Sequence, residues 1–326
     1  MLRLLALGIA IPVAAATLIA TSSAGKSQAA PAGPAGVEGR QNQPSSSVCP
    51  VFEAMPTLGR IGNRRLVEAS GVVVSDKNPG VLWLHNDSGG RPELFALAMN
   101  GQPLADFNLS GADAIDWEDI ALGPGPDPRK RYLYIGDIGD NDRKRESVVV
   151  YRVEEPLLPP TPRAQPQTLT GVAHFELSYQ GGGRHDAEAL LVDPKNSDLY
   201  VITKPLLHTP RVYQAKAPHS PQGIGQLTHV ASLDFVRHYS VFPPLVTAAD
   251  ISRDRGWILV RTYAHAFLYQ CLPAQSIADC FRNTPCVVPL RFESQGEAIA
   301  FTPDGSGYVT TSEGRSAPIH LFRRKL

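Results

Sequence analysis

Glu188-Ala189-Leu190-Leu191-Val192 is a short stretch in which an acidic residue precedes a small residue and an apolar run. The same pattern occurs five times along the 326-residue chain, at intervals of about 50 to 70 residues. Self-similarity at such a period indicates a repeat architecture. The other four copies are Glu68-Ala69-Ser70-Gly71-Val72, Glu118-Asp119-Ile120-Ala121, Asp250-Ile251-Ser252 and Glu297-Ala298-Ile299-Ala300-Phe301.

Each copy begins a series of short strands separated by turns. Turns rich in Gly, Pro, Asp and Asn follow every first strand, as at residues 76–80 and 193–198, and a second apolar strand comes next. A third strand follows in all five units, and a fourth follows in the first four. Four antiparallel strands per repeat are typical of a propeller blade. The sequence predicts an all-β, five-bladed β-propeller, with six blades as the alternative if the long second unit contains another.

The fifth unit lacks a fourth strand, whereas an unassigned strand-like segment, residues 49–61, precedes the first blade. We expect this N-terminal segment to supply the missing strand and to close the ring. If the chain is exported, its four cysteines favour two disulfides. Three pairings are open, and ring closure favours a link from Cys49 to the outer hairpin of blade four, which contains Cys271, Cys280 and Cys286.

The first 30 residues have the features of a secretory signal peptide, with Arg3, an apolar run over 4–20 and small residues up to Ala30. Residues 31–47 are predicted to be a flexible spacer and 48–326 the propeller domain. An uncleaved anchor is the alternative, because the apolar run is at the low edge of membrane-spanning length. We expect a secreted, extracellular protein with no membrane attachment after cleavage.

The overall charge offers no electrostatic footprint for polyanions. The chain has 31 Lys and Arg residues against 31 Asp and Glu residues. Binding to nucleic acid or to an anionic membrane surface is therefore not expected. We expect a monomer whose partner is a small molecule or a glycan.

In a propeller, the loops before each innermost strand and after each second strand open on one face near the axis. Acidic residues from all five units would meet there and would need compensation. Ca²⁺, with roughly six to eight oxygen ligands, suits such a site better than Zn²⁺. The predicted metal ligands are Glu68, Asp87, Glu118, Asp137, Asp140, Glu188, Asp250 and Glu297.

Two alternatives to a metal are open. The carboxylates would accept backbone N–H groups of the next blade, or they would pair with Lys204 and Arg261. Glu68 and Asp87 are as far apart in sequence as Glu118 and Asp137, so we interpret the two pairs as equivalent.

The segment Arg184-His185-Asp186-Ala187-Glu188 places an imidazole beside two carboxylates, an arrangement suited to general acid–base catalysis. His185 and Asp186 are the predicted catalytic residues; a surface histidine in a loop is the alternative. Motifs for a serine nucleophile, a P-loop, dinucleotide binding or a zinc protease are absent from the sequence. The loops that open near the axis would surround a depression, which we call the funnel. The predicted substrate-binding residues around it are His85, Asn141, Lys204, Arg261 and Glu313.

Three segments, 118–121, 186–190 and 295–305, resemble exported bacterial propellers of the phytase-esterase-like and SdiA-regulated groups. The likeness spans residues 60–326 and implies a propeller fold. Calcium-dependent propeller lactonases are more distantly similar, and they place a Glu metal ligand at the start of an inner strand. This resemblance implies that the candidate metal ligands here are Glu68, Glu118, Glu188 and Glu297. Here Ala or Asp follows the Glu where those lactonases usually have Gly-Pro.

We therefore expect a Ca²⁺-dependent hydrolase of a phosphoester, ester or lactone. The alternative is a non-catalytic propeller that binds a glycan, a peptide or a small ligand.

Overall fold

The computed structural model describes residues 49–161, 165–235, 239–240 and 243–325. The predicted signal peptide and the spacer up to residue 47 lie outside these ranges. The described chain is mainly β-strand, with a short 3₁₀ turn, Gln180–Gly182, and a short helix, α1, Ile277–Cys280. No helix in the described ranges has the length and hydropathy needed to cross a membrane.

The strands form five antiparallel blades. Two short strands, β1 (Phe52–Ala54) and β2 (Gly59–Arg60), come first. Blade I consists of β3 (Ala69–Val74), β4 (Val81–Asn86), β5 (Glu93–Ala98) and β6 (Pro103–Leu109). Blade II consists of β7 (Trp117–Gly123), β8 (Tyr132–Asp137), β9 (Val148–Glu154) and β11 (Ala173–Tyr179), with β10 (Gln167–Leu169) before the last of these.

The remaining blades follow the same plan. Blade III consists of β12 (Ala187–Val192), β13 (Leu199–Thr203), β14 (Arg211–Ala215) and β15 (Gly225–Ser232). Blade IV consists of β16 (Val246–Ile251), β17 (Trp257–Thr262), β18 (Ala266–Gln270) and β19 (Cys286–Val288). Blade V consists of β20 (Ala298–Phe301), β21 (Gly307–Thr311), β22 (Pro318–Arg324) and β1.

The five innermost strands form a closed ring. β3 packs against β7, β7 against β12, β12 against β16, β16 against β20, and β20 returns to β3. β1 pairs antiparallel with β22, so that Glu53 lies opposite Arg323, and β2 pairs with the other end of β22. The predicted five-bladed propeller with an N-terminal closing strand is confirmed, and the six-bladed alternative is wrong.

Two parallel pairings at the outer edges were not predicted. β10 pairs with β6, which places a strand from the long second unit on the edge of blade I. β11 pairs with β15, which joins the edges of blades II and III into one eight-stranded sheet. These pairings cover strand edges that would otherwise present unpaired backbone groups.

The apolar core lies between blades. Every residue of β3, β7, β12 and β16 is buried, because each innermost strand has a neighbouring blade on both faces. The outer strands β6 and β11 alternate buried with more exposed residues, as expected for half-covered strands. Trp83 of blade I and Trp117 of blade II share one buried cluster, so large aromatic side chains fill the space between adjacent sheets.

Two disulfides reinforce the fold. Cys49, just before β1, is bonded to Cys286 of β19, which ties the closing strand of blade V to blade IV as predicted. Cys271 and Cys280 form the second bridge across the loop that contains α1. Ser276 caps this helix by accepting a hydrogen bond from the backbone of Asp279. The bridges fit an oxidising compartment.

Candidate metal centre at the top face

The top face is the end of the propeller where the chain enters each innermost strand and leaves the second strand. A β-bulge lies near the start of the innermost strand in four blades. In blades II and III the extra residue is Glu118 and Glu188, and both side chains are buried. In blade IV it is Thr247, and the bulge of blade I includes Ser70. We call these four residues the bulge positions.

The Ser and Thr bulge positions connect neighbouring blades. The hydroxyl of Ser70 donates to the Glu118 carbonyl at 2.5 Å, and that of Thr247 donates to the Gly296 carbonyl at 2.9 Å. The two glutamate side chains instead approach acids of neighbouring blades. A bulge re-aims a side chain and interrupts pairing, which explains why the site begins here.

A second tier of acids lies two residues before the bulge positions. In blades I, II and III the backbone carbonyl of this acid accepts a hydrogen bond from a residue one or two positions past the end of the second strand, which fixes the loop. The bonds run from Asp87 N to Glu68 O (2.8 Å), from Gly139 N to Asp116 O (3.2 Å) and from Lys204 N to Asp186 O (2.9 Å).

This register corrects the predicted equivalence of Glu68 and Glu118. Glu68 is the counterpart of Asp116, because Ser70 occupies the bulge of blade I. The Glu68 side chain is exposed at the mouth of the funnel. Equal sequence spacing did not reveal the shift, since the backbone pairing rather than the spacing sets the register.

Asp250 also departs from its predicted place. It lies within β16, three residues beyond Thr247. Its Oδ2 accepts the backbone N–H of Phe301 and its Oδ1 that of Ile251, both at 2.8 Å. Asp250 therefore connects blades IV and V through backbone hydrogen bonds, which is the alternative to a metal that the sequence left open.

Asp119 also connects blades through backbone hydrogen bonds, and it joins three blades rather than two. Its side chain is 1% exposed, and its Oδ2 accepts the backbone N–H groups of Leu190 at 3.0 Å and Ala249 at 3.3 Å, while Oδ1 accepts that of Ile120 at 2.8 Å. One carboxylate thus joins blades II, III and IV near the axis.

Five carboxylates from three blades meet at the top face. Asp87, Asp116 and Glu118 form one group, and Glu118, Asp186 and Glu188 form another; within each group the three side-chain oxygens lie within 4.8 Å of one another. Two oxygens bound to the same Ca²⁺ at about 2.4 Å are at most about 4.8 Å apart. The spacing therefore fits one divalent ion per group. We call these five residues the carboxylate cluster.

The surroundings of the cluster favour a hard cation. Neither group contains a His or Cys ligand, so the donor set is all oxygen. A side chain at Gly139 would overlap the carboxylates of Glu118 and Asp116. Glycine at this position lets the chain after β8 approach the cluster closely.

Burial and mutual repulsion shift the titration of the cluster. Burial, with the charge of Glu188 and of Asp87, raises the pKa of Glu118 well above its usual range. Burial also raises the pKa of Asp87 to about 6 and that of Asp116 to about 7. The pKa of Glu188 is raised to about 8 by burial, against the opposing effect of Lys204. Without a cation, the cluster holds protons near neutral pH.

One lysine already compensates part of this charge. The Nζ of Lys204 pairs with Glu188 Oε1 at 2.8 Å and donates to the Tyr263 hydroxyl at 3.0 Å. Tyr263 in turn donates to Glu297 Oε1 at 2.8 Å. Burial and a hydrogen bond with Glu297 raise the pKa of Glu313 to about 9. Glu297 and Glu313 therefore lie in a network beside the cluster, outside its two groups.

Asp137 and Asp140 support the loops rather than the two carboxylate groups. Asp137 is fully buried, accepts the backbone N–H groups of Ile115 and Asp116, and pairs with Arg145 at 2.7 Å. Asp140 accepts the backbone N–H groups of Lys144 and Arg145, each at 2.8 Å, while its own N–H donates to Asp186 Oδ1 at 2.9 Å. Asn141 is exposed in the same loop.

Two predicted substrate-binding residues are buried between blades. Arg261 is 0% exposed; it pairs with Glu293 through Nη2 and donates through Nη1 to the Ala298 carbonyl at 2.9 Å. His85 is also 0% exposed, donates to the Asn86 carbonyl at 2.8 Å, and has its pKa lowered to about 4 by burial. Their placement corrects the prediction, because neither side chain is accessible to a ligand.

His185 and Asp186 diverge from each other. Asp186 belongs to the carboxylate cluster. The Nε2 of His185 lies 2.9 Å from the Tyr213 hydroxyl, and the imidazole packs edge-on against Tyr179. Burial, with the charges of Arg211 and Arg143, lowers the pKa of His185. The imidazole lines a cavity adjacent to the cluster, together with Asp186.

Sequence reasoning missed Asp116 and Tyr263. Asp116 was detectable, because Asp116-Trp117-Glu118 and Asp186-Ala187-Glu188 are the same Asp-x-Glu motif at the start of consecutive blades. Tyr263 follows β17 and carries no comparable motif.

No family model matches the chain, and no curated protein does. A solved structure described as the crystal structure of RRP9 WD40 repeats is similar at 10% identity and a TM-score of 0.41, over 85% of this chain and 99% of that one. The class of this protein, a five-bladed β-propeller, follows from its own strand order.

Proposed function

We propose that this protein is a secreted, monomeric propeller that binds Ca²⁺ at the carboxylate cluster and hydrolyses a phosphoester, ester or lactone bound beside it. The observation that carries the proposal is the position of Glu118, whose carboxylate is shared by two groups of three acids drawn from blades I, II and III. The resemblance to phytase-esterase-like and SdiA-regulated propellers agrees with this assignment, and the two disulfides support export.

The ligands of the ion would come from Asp87, Asp116, Glu118, Asp186 and Glu188. When bound, the ion would polarise the substrate oxygen and acidify a water molecule. Lys204 holds Glu188 in place through its 2.8 Å ion pair. Asp186, which borders both the cluster and the cavity, is the residue placed to accept a proton from a water molecule beside the substrate.

A second candidate function is a non-catalytic module for a glycan, peptide or small ligand. The network of Lys204, Tyr263 and Glu297 favours it, because these contacts partly neutralise the funnel without a metal. In that case the remaining charge would be removed by protonation of the cluster.

The two candidates differ in their response to Ca²⁺. We would measure the melting temperature of the chelator-treated protein during a Ca²⁺ titration. At one hundred times its Kd, a ligand specific for the folded state stabilises it by about 2.7 kcal/mol, and the melting temperature would rise by about 5 °C or more. Glu118→Gln should abolish the rise. Asp142→Asn, which removes an exposed acid from a nearby loop, should retain it.

A melting temperature that does not change at millimolar Ca²⁺ would contradict the metal-centre proposal and favour the binding module. If the rise is seen, phosphoesters, esters and lactones would be assayed with Ca²⁺ and with chelator. Loss of hydrolysis in Glu118→Gln, but not in Asp142→Asn, is the expected result.

A further inference from the structure

A basic cavity of about 160 Å³ adjoins the carboxylate cluster. Its lining includes Arg143 from the loop after β8, Arg184 from the loop before β12, His208 just before β14 and Arg211 at the start of β14. Asp186 borders both this cavity and the cluster. Asp186 is therefore shared by the arginine-lined cavity and the carboxylate cluster.

The positive charge in this cavity is only partly compensated, by Glu146 beside Arg184 and by Asp186, on which the charge of Arg143 acts. Arg184 pairs with Glu146 at 2.9 Å, but among the described residues no ion pair involves Arg143 or Arg211. Both guanidinium groups act on the same imidazole, that of His185. Like charges held near one another around a cavity favour an anion between them.

The backbone at Arg143 has a defined, unusual conformation. Arg143 has a φ of 53°, in the left-handed region that costs a non-glycine residue about 1 kcal/mol or more. A hydrogen bond of 2.8 Å from its N–H to the Asp140 carbonyl holds this conformation. The loop in this conformation places Arg143 in the lining of the cavity.

We propose that the ligand of the top face carries an oxyanion, either a phosphate or a carboxylate group, which binds in this cavity between Arg143 and Arg211. The planar guanidinium fork matches either group through paired N–H donors. The inference rests on the proposed function and narrows it, since neutral esters, lactones and glycans lack the group that the cavity would bind.

The test measures anion binding without metal. Inorganic phosphate and acetate would be titrated separately into the chelator-treated full chain by calorimetry, with NaCl at matched ionic strength as a control. We expect saturable binding of at least one, weakened about tenfold or more by Arg143→Gln and by Arg211→Gln. Arg129→Gln, which removes an exposed arginine at the opposite end of blade II, should bind normally. Both cavity arginines are exposed, and equal melting temperatures of the ligand-free variants would verify folding.

Which anion binds more tightly identifies the group. The inference is overturned if neither anion binds at 10 mM, which corresponds to a binding free energy of about 3 kcal/mol. It is also overturned if neither arginine substitution weakens binding. Glu118→Gln separates this inference from the metal-centre proposal, because it should abolish the Ca²⁺ response and leave anion binding intact. If the Ca²⁺ response is absent while anion binding depends on the arginines, the cavity is an anion site and the metal-centre proposal is wrong.

Discussion

Replacement of Arg261 by methionine tests whether this residue stabilises the fold rather than binds a ligand. Arg261 and Glu293 are both 0% exposed at their side chains, and the arginine also donates to the Ala298 and Thr311 carbonyls at 2.9 and 3.3 Å. Arg261→Met leaves the buried Glu293 carboxylate without the charge of its arginine, although the Thr310 hydroxyl still donates to it at 3.2 Å. Loss of one partner of a buried ion pair costs about 3–5 kcal/mol. That cost is a large share of a typical unfolding free energy of about 5–15 kcal/mol.

Equilibrium unfolding in urea would measure the effect. With a slope of about 3 kcal/mol per molar, the midpoint of Arg261→Met should fall by about 1 M or more. Adding Glu293→Gln removes the stranded charge and should recover part of the loss, whereas Arg129→Met, at an 86% exposed side chain, should change little. A midpoint change under about 0.3 M, or no recovery in the double variant, would refute the structural role.

Three further predictions concern stability. Asp119→Ala leaves three backbone N–H groups without their acceptor and should lower the unfolding free energy by about 3 kcal/mol or more. Urea unfolding would measure this, and a cost below about 1 kcal/mol would count against the role of Asp119 between blades. The pKa of Asp116 is raised to about 7 in the folded protein, so the folded form holds a proton that the unfolded form releases, and the chelated protein should lose stability as pH rises from about 4 to 7. Melting temperatures across this range would test it; Asp116→Asn should flatten the trend, and an unchanged slope would contradict it. Replacing Cys49 and Cys286 together by alanine should cost about 2–5 kcal/mol and expose the N-terminal strand to proteolysis, and a cleavage rate equal to that of the parent would contradict the expectation.

Much of the fold was predictable from sequence because an innermost strand needs a continuous apolar run, which Leu190–Val192 and its counterparts supply. The acids before these runs also identified Glu118 and Glu188. Their register was less predictable, because the acid lies at a different distance from the bulge in each blade: Glu68 comes two residues before Ser70, and Asp250 three residues after Thr247. Pairing at the strand ends decides which acid faces the axis.

The buried polar residues were the least predictable. An arginine such as Arg261 is a residue type that often binds ligands. It is buried here because Gly296 leaves space for its guanidinium and Glu293, far along the chain, neutralises its charge. No local pattern encodes such a long-range pair. His85 is similar, since its burial depends on the small residue Gly71 across the strand pair.

The pairing of β1 with β22 has a consequence for how the chain matures. During synthesis or translocation from the N-terminus, Phe52–Ala54 emerge first, yet their partner strand, Pro318–Arg324, emerges after every other blade has been delivered. Blades I to IV can form in order, but the ring closes only after delivery of the last strand. Contacts so distant in sequence are slow to form, so we expect ring closure to be the last step in the assembly of the fold.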